Sequence, residues 1–279
     1  MMRLLYWGGL AAAATALLTS CRTDVKVAEK EQDLVIDGSV QAKLAPLLKD
    51  YAPAKPLRST DELREIDNKG NLGRLIYYER KVAYAPLESG LWGIHGIGGF
   101  TSNDSRGSSQ ALSLCGLATL ISASAGKIHG DATVAVPIGR TFLPFAIQSS
   151  IDYGRRSKVR DFEASTPDVC RPSPGQQFSL RVESELTVTV SGTFGTSRVS
   201  AMSEELACKV AGELKPADGY LPAVGGQALV TACERRVNGR NKAVLEYVFL
   251  PSAGFYVLLK ERSDVETVKV RYREVTVAQ

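Results

Sequence analysis

Residues 177–192 read QFSLRVESELTVTVSG, and their two-residue period decides the fold. Phe178, Leu180 and Val182 alternate with polar residues, and so do Leu186, Val188 and Val190. Successive side chains of a strand point to opposite faces, so this run has one apolar and one wet face, as in an antiparallel sheet. The signal recurs toward the C-terminus. After QALVTACERR (227–236), Asn238-Gly239 is a hairpin turn signal leading into KAVLEYVFL (242–250). Residues 251–254 turn the chain into FYVLLKER (255–262). It closes on ETVKVRYREVTV (266–277), with Val268, Val270 and Tyr272 on one face and Lys269, Arg271 and Arg273 on the other.

Strand signals also extend backward. RLIYYERKVAY (74–84) is rich in tyrosine and aliphatics, and ATVAVPIG (132–139) and TFLPFAIQSSIDYG (141–154) are apolar runs broken by Gly and Pro. The uncharged stretch 111–126 has too many serines and glycines for a membrane span and reads as a buried helix or a strand pair. No solenoid-length repeat occurs. Residues 74–279 are therefore expected to form a mainly β domain, an antiparallel sandwich or barrel.

Residues 34–73 read as a small mixed part with short helices. Val40, Leu44, Leu47 and Leu48 share a helical face, with Ser39 as N-cap. Pro46 inside that helix would cost about 3 kcal/mol, which moves the expected start toward Pro46. Ser59 to Glu62 form a capping box that predicts a second helix ending at Asn68-Lys69-Gly70.

The first residues, MMRLLYWGGLAAAATALLTSCRTD, carry a positive Arg3 and an uncharged apolar run from Leu4 to Leu18. That run is shorter than the roughly 20 residues a membrane-spanning helix needs and has the flanks of a secretory signal. Leu18-Thr19-Ser20-Cys21 resembles the lipobox of bacterial lipoproteins. The resemblance implies cleavage after residue 20, fatty acyl chains such as palmitate on Cys21, and a membrane-anchored product. Two acyl chains anchor stably where one binds reversibly. Arg22, in place of an Asp, implies the outer membrane, facing the periplasm. Residues 21–33 are polar and read as a tether reaching at most about 40 Å.

Removing residues 1–20 takes only Arg3 from the 34 basic residues, leaving 33 against 30 acidic. A charge this mild does not imply a nucleic-acid partner, and none is expected. The remaining cysteines, Cys115, Cys170, Cys208 and Cys233, read as two disulfides in an exported chain. Three pairings exist. The sequential one is expected, because Cys208 and Cys233 bracket a loop-like stretch between two strand-like runs.

No catalytic template fits. His95 and His129 each lie in Ile-His-Gly, without a ligand at metal-binding spacing, so no metal or cofactor is expected. A serine triad of the α/β-hydrolase order is excluded, since no histidine follows position 129. The glycine-rich stretch around Trp92 and Phe100 has no phosphate-loop pattern and is expected to pack. Two basic clusters remain: Arg155, Arg156, Lys158 and Arg160, and Arg235, Arg236, Arg240 and Lys242. Read as turns, they are solvated charges; as a functional face, they would contact anionic lipid or acidic glycan. The expectation is a non-enzymatic envelope lipoprotein with a structural, assembly or binding role toward envelope proteins, lipid or glycan. The alternative is an envelope hydrolase using His95 or His129 with carboxylates such as Asp104 or Asp131.

Overall fold

The computed structural model describes residues 34–49, 51, 57–68, 75–87, 89–100, 106–138, 141–191, 196–222 and 224–277. Among these residues, one α-helix, α1 (Gly38–Leu48), precedes twelve strands. They are β1 (Leu57–Asn68), β2 (Leu75–Pro86), β3 (Trp92–Phe100), β4 (Arg106–Leu114), β5 (Ala118–Ile138), β6 (Thr141–Ala164), β7 (Gln177–Ser191), β8 (Thr196–Pro216), β9 (Gln227–Val237), β10 (Asn241–Leu250), β11 (Phe255–Ser263) and β12 (Glu266–Val277). Each strand pairs antiparallel with its sequence neighbour, and β1 pairs with β12 to close a barrel. Closure removes the two sheet edges that an open meander would leave exposed.

The alternation read in the sequence is the inside–outside alternation of this wall. Phe178, Leu180 and Val182 are buried while Gln177, Ser179 and Arg181 are exposed. Val268, Val270 and Tyr272 face inward in the same way. At the β9–β10 hairpin, Asn238 and Gly239 both have positive φ, 51° and 68°, as expected of that turn. The uncharged stretch 111–126 is a strand pair, β4 and β5, joined at Cys115 and Gly116. Glycine is required at 116, where φ is +79° and a Cβ would come within 2.3 Å of the Tyr256 carbonyl oxygen.

Two N-terminal expectations are corrected. The predicted second helix is β1: Glu62, Arg64 and Ile66 alternate into the barrel, and pairing with both β2 and β12 overrides the local capping signal. The first helix does not begin near Pro46 but runs through it, with Asp37 as N-cap. Pro46 falls in the last turn, where its missing N–H forfeits a single helical bond. Val40, Leu44 and Leu47 are the buried face.

This helix closes one end of the barrel. Near its start, Lys158 of β6 donates to Asp37 at 2.8 Å, and Lys43 pairs with Asp161. Beyond its end, the Tyr51 hydroxyl donates to the Gly254 carbonyl in the β10–β11 turn and accepts from Trp92 Nε1 at 2.6 Å. Beneath it lies an aromatic core in which Trp92, fully buried, stacks on Phe255 at 4.5 Å and Phe249 meets Tyr256 at 4.7 Å. Two disulfides staple the wall. Cys115–Cys170 ties the β4–β5 turn to the short 3₁₀ turn Pro167–Cys170, and Cys208–Cys233 joins register partners on β8 and β9.

At the opposite end the wall is uneven. β4 pairs with β5 only as far as Lys127, and β7 pairs with β6 only from Asp152. Among the described residues, eleven pairs of β5 and β6, from Ile128↔Ile151 to Ile138↔Thr141, pair only with each other. They form a ribbon extending roughly 36 Å past the described ends of β4 and β7 at about 3.3 Å per residue.

Candidate functional site

The register that builds the wall also turns a set of charged side chains inward at mid-height. Glu62 of β1 is 2% exposed. Arg80 of β2, its register partner, donates to it at 2.5 Å, the Tyr84 hydroxyl donates to its other oxygen, and Arg64 lies 3.5 Å away. Burial alone raises the Glu62 pKa, but the charges of Arg80 and Arg64, with the hydrogen bonds from Arg80 and Tyr84, outweigh it and hold the carboxyl below its ordinary value. Tyr272 of β12 is buried beside them and donates to the Leu258 carbonyl at 2.8 Å. That bond matters because only three ladder pairs, Lys260↔Lys269 to Arg262↔Thr267, join β11 to β12.

A second group, from β8 to β11, completes the belt. Arg235 pairs with Glu261, and both act electrostatically on Glu204 and on the buried Tyr247. Burial raises the pKa of Glu204; Arg235 opposes this, Glu261 adds to it, and Arg155 opposes it. Tyr247 also feels Arg64, which links the two groups electrostatically. Burying ions costs several kcal/mol each unless they are paired, so this belt stands only because its members neutralise one another. Sequence reading missed it, although a signal was present. Arg80 falls on the same two-residue face as Val82 and Tyr84, and a charge on an apolar stripe calls for a buried partner.

The residues singled out in the sequence do not converge. Of the two basic clusters, Arg155 to Arg160 lie inside β6 rather than in a turn, and strand alternation splits them across the wall. Arg155 is exposed but lies on the strand face of the buried Ser157 and Val159, whereas Lys158 and Arg160 face Asp37, at 2.8 and 3.6 Å, and Arg160 also meets Glu185 at 3.0 Å. Arg235 faces inward to Glu261, while its neighbour Arg236 faces outward. There the register sets Glu163, Arg181, Glu205 and Arg236 in one row of alternating charge across β6 to β9. They line a shallow groove that also contains Glu234, with three acids against two bases. Arg156, Arg240 and Lys242 remain exposed.

His95 is exposed on the outer side of β3, level with Gln110 and, through it, Ala123. His129 lies six positions farther along β5, on the order of 20 Å away at strand spacing, so the two histidines form no common site. His129 and Asp131 share a face of the ribbon by register. Asp104, Cys21 and the tether 21–33 lie outside the described residues. Among the described residues, no cluster of three or more His, Cys, Asp or Glu is placed to hold a metal ion.

The outer wall of β12, β1 and β2 carries Lys269 and Arg271 at 3.6 and 3.5 Å from Glu65, and Arg273 at 3.1 Å from Glu79. These pairs make the outer surface of the three strands polar. No described helix is long and apolar enough to cross a membrane. Compared with protein-family models, curated proteins and solved structures, the chain matches none.

Proposed function

We propose that the chain is a lipid-anchored lipoprotein of the cell envelope, facing the periplasm from the outer membrane, whose barrel serves as a non-enzymatic binding or assembly module. The observation that carries this reading is the lipobox-like Leu18-Thr19-Ser20-Cys21 after a short apolar run. The geometry supports the non-catalytic part. The buried carboxylate Glu62 is engaged by Arg80 and Tyr84, Arg235 is engaged by Glu261, and the histidines stand apart. A general base needs a lone pair within reach of a substrate proton, and Glu62 is both enclosed and held in its ionised form by two arginines.

The test is the intact mass of the N-terminal peptide from membranes. A peptide starting at acylated Cys21, lost in Cys21→Ala while the barrel still folds, is the expected result. An unmodified N-terminus, or a water-soluble product of the unaltered gene, overturns the reading.

A further inference from the structure

We infer that the end of the barrel opposite α1 is a binding cup for an amphiphile with one acidic head group, received there by Arg155 and Arg198. The inference rests on the proposed binding role and gives it a ligand, but it does not depend on acylation of Cys21. About eight strands enclose just enough width for side chains to fill, and roughly sixteen leave an open channel, so twelve enclose more space than side chains occupy. At the α1 end that space is taken by the helix and by the aromatic core around Trp92 and Phe255. At the other end it is not. On the lumen face of β7, Leu180 and Val182 are buried, whereas Leu186, Val188 and Val190 farther along are only half-buried. On that of β8, Leu206 is buried, Met202 half-buried and Arg198 exposed. Side chains that face the lumen and still meet water mark a mouth.

The charge at this mouth is positive. Arg155 and Arg198 are both register partners of Val188, on the two strands that flank β7. They stand two strand spacings apart, about 10 Å, so both guanidinium groups can reach one anion held above Val188. Arg64, Arg80 and Arg235 deeper in the lumen are each engaged by a glutamate of the belt. Among the described residues neither mouth arginine forms a salt bridge, although Arg155 acts electrostatically on Glu204 below it. An anion that went deeper would meet Glu204 and Glu261, so the head group stops at the arginine row.

The apolar side chains decide the rest of the ligand. A small inorganic anion would engage Arg155 and Arg198 but leave Leu186, Val188 and Met202 in water. An acidic glycan would set its hydroxyls against these aliphatic side chains, which offer them no hydrogen bond. A folded partner would meet the rim without following the wall inward. A single hydrocarbon chain does follow it, and each CH₂ it buries adds to the gain. Met202 is suited to such a chain, because its flexible thioether adapts to an irregular apolar surface.

The experiment titrates decanoate, below its critical micelle concentration, into the full chain carrying Cys21→Ala, so that no acyl group of its own competes, and follows the heat released. Saturable one-to-one binding that weakens as salt is added is the expected result. Arg155→Gln combined with Arg198→Gln should weaken it at least about tenfold. The melt of the barrel should stay unchanged, because both arginines are exposed. Decyltrimethylammonium, with the same chain and the opposite charge, and acetate, with the same charge and almost no chain, should not saturate. Four outcomes would each overturn the inference. They are the absence of saturable binding, decyltrimethylammonium bound as tightly as decanoate, acetate bound as tightly as decanoate, and a double variant that binds like its parent. The second would mean adsorption by the chain alone, and the third a bare anion site. The N-terminal mass of the unaltered chain is a separate readout, so failure of one reading is distinguishable from failure of the other.

Discussion

Glu62 and Glu204 are both glutamates turned into the same barrel, yet their surroundings push them in opposite directions. Glu62 is held below its ordinary pKa near 4.5, so its contribution to stability is present above that value and is lost as pH falls through the folded-state value. Glu62→Gln should therefore destabilise the barrel at pH 7 by about 3 kcal/mol or more, because it strands Arg80 and Arg64. That deficit should shrink as the medium drops below pH 4.5 and the native carboxyl itself protonates. Glu204 is raised, so folding favours its protonated form, and stability is lost as pH rises through its folded value. Glu204→Gln should raise the melting temperature at pH 7 and make no difference near pH 4. Thermal unfolding of both variants at the two pH values checks the pair of signs, and parallel shifts would contradict the assignment. Neither role was legible in the sequence. Ser59 to Glu62 imitate a capping box, and consecutive arginines such as Arg155-Arg156 look like a patch until the strand sends them to opposite sides.

Among the elements, the helix α1 shows how few bonds hold a cap. Burial raises the Tyr51 pKa to about 12, with the Trp92 hydrogen bond opposing it, so the hydroxyl keeps its proton at any ordinary pH. It donates to Gly254 and accepts from Trp92, joining the residue after the helix to two parts of the wall. Tyr51→Phe leaves a buried carbonyl and a buried indole N–H without partners, at about 2 kcal/mol in total. Amide hydrogen exchange should then quicken in α1 and in the β10–β11 turn, with β7 and β8 unaffected; uniform protection would mean that the helix is held by its apolar face alone. Individual elements were the legible part of this fold. β7 and β12 could be read because one side of each meets water and the other the core. The ribbon could be read as two apolar runs, but its projection depends on where β4 and β7 stop, and no local pattern records that.

For the whole molecule, closure is the property furthest from the sequence, since it pairs the first strand with the last. β12 shares eleven register pairs with β1 but three with β11. Ending the chain before Glu266 should therefore remove cooperative unfolding altogether rather than trim a fraction of stability, because β1 is left with a bare edge and Glu62 loses the wall that buries it. A denaturant titration of the shortened chain checks this, and a sharp transition of near-native midpoint would show that the other eleven strands suffice.

The β1–β12 seam also sets an order of events. A chain emerges from the ribosome N-terminus first. Here the earliest strand to emerge has no permanent neighbour on one side until the last dozen residues arrive. Closure of the barrel is thus deferred to the end of synthesis. The cost is an interval in which a long, half-paired sheet waits with an open flank.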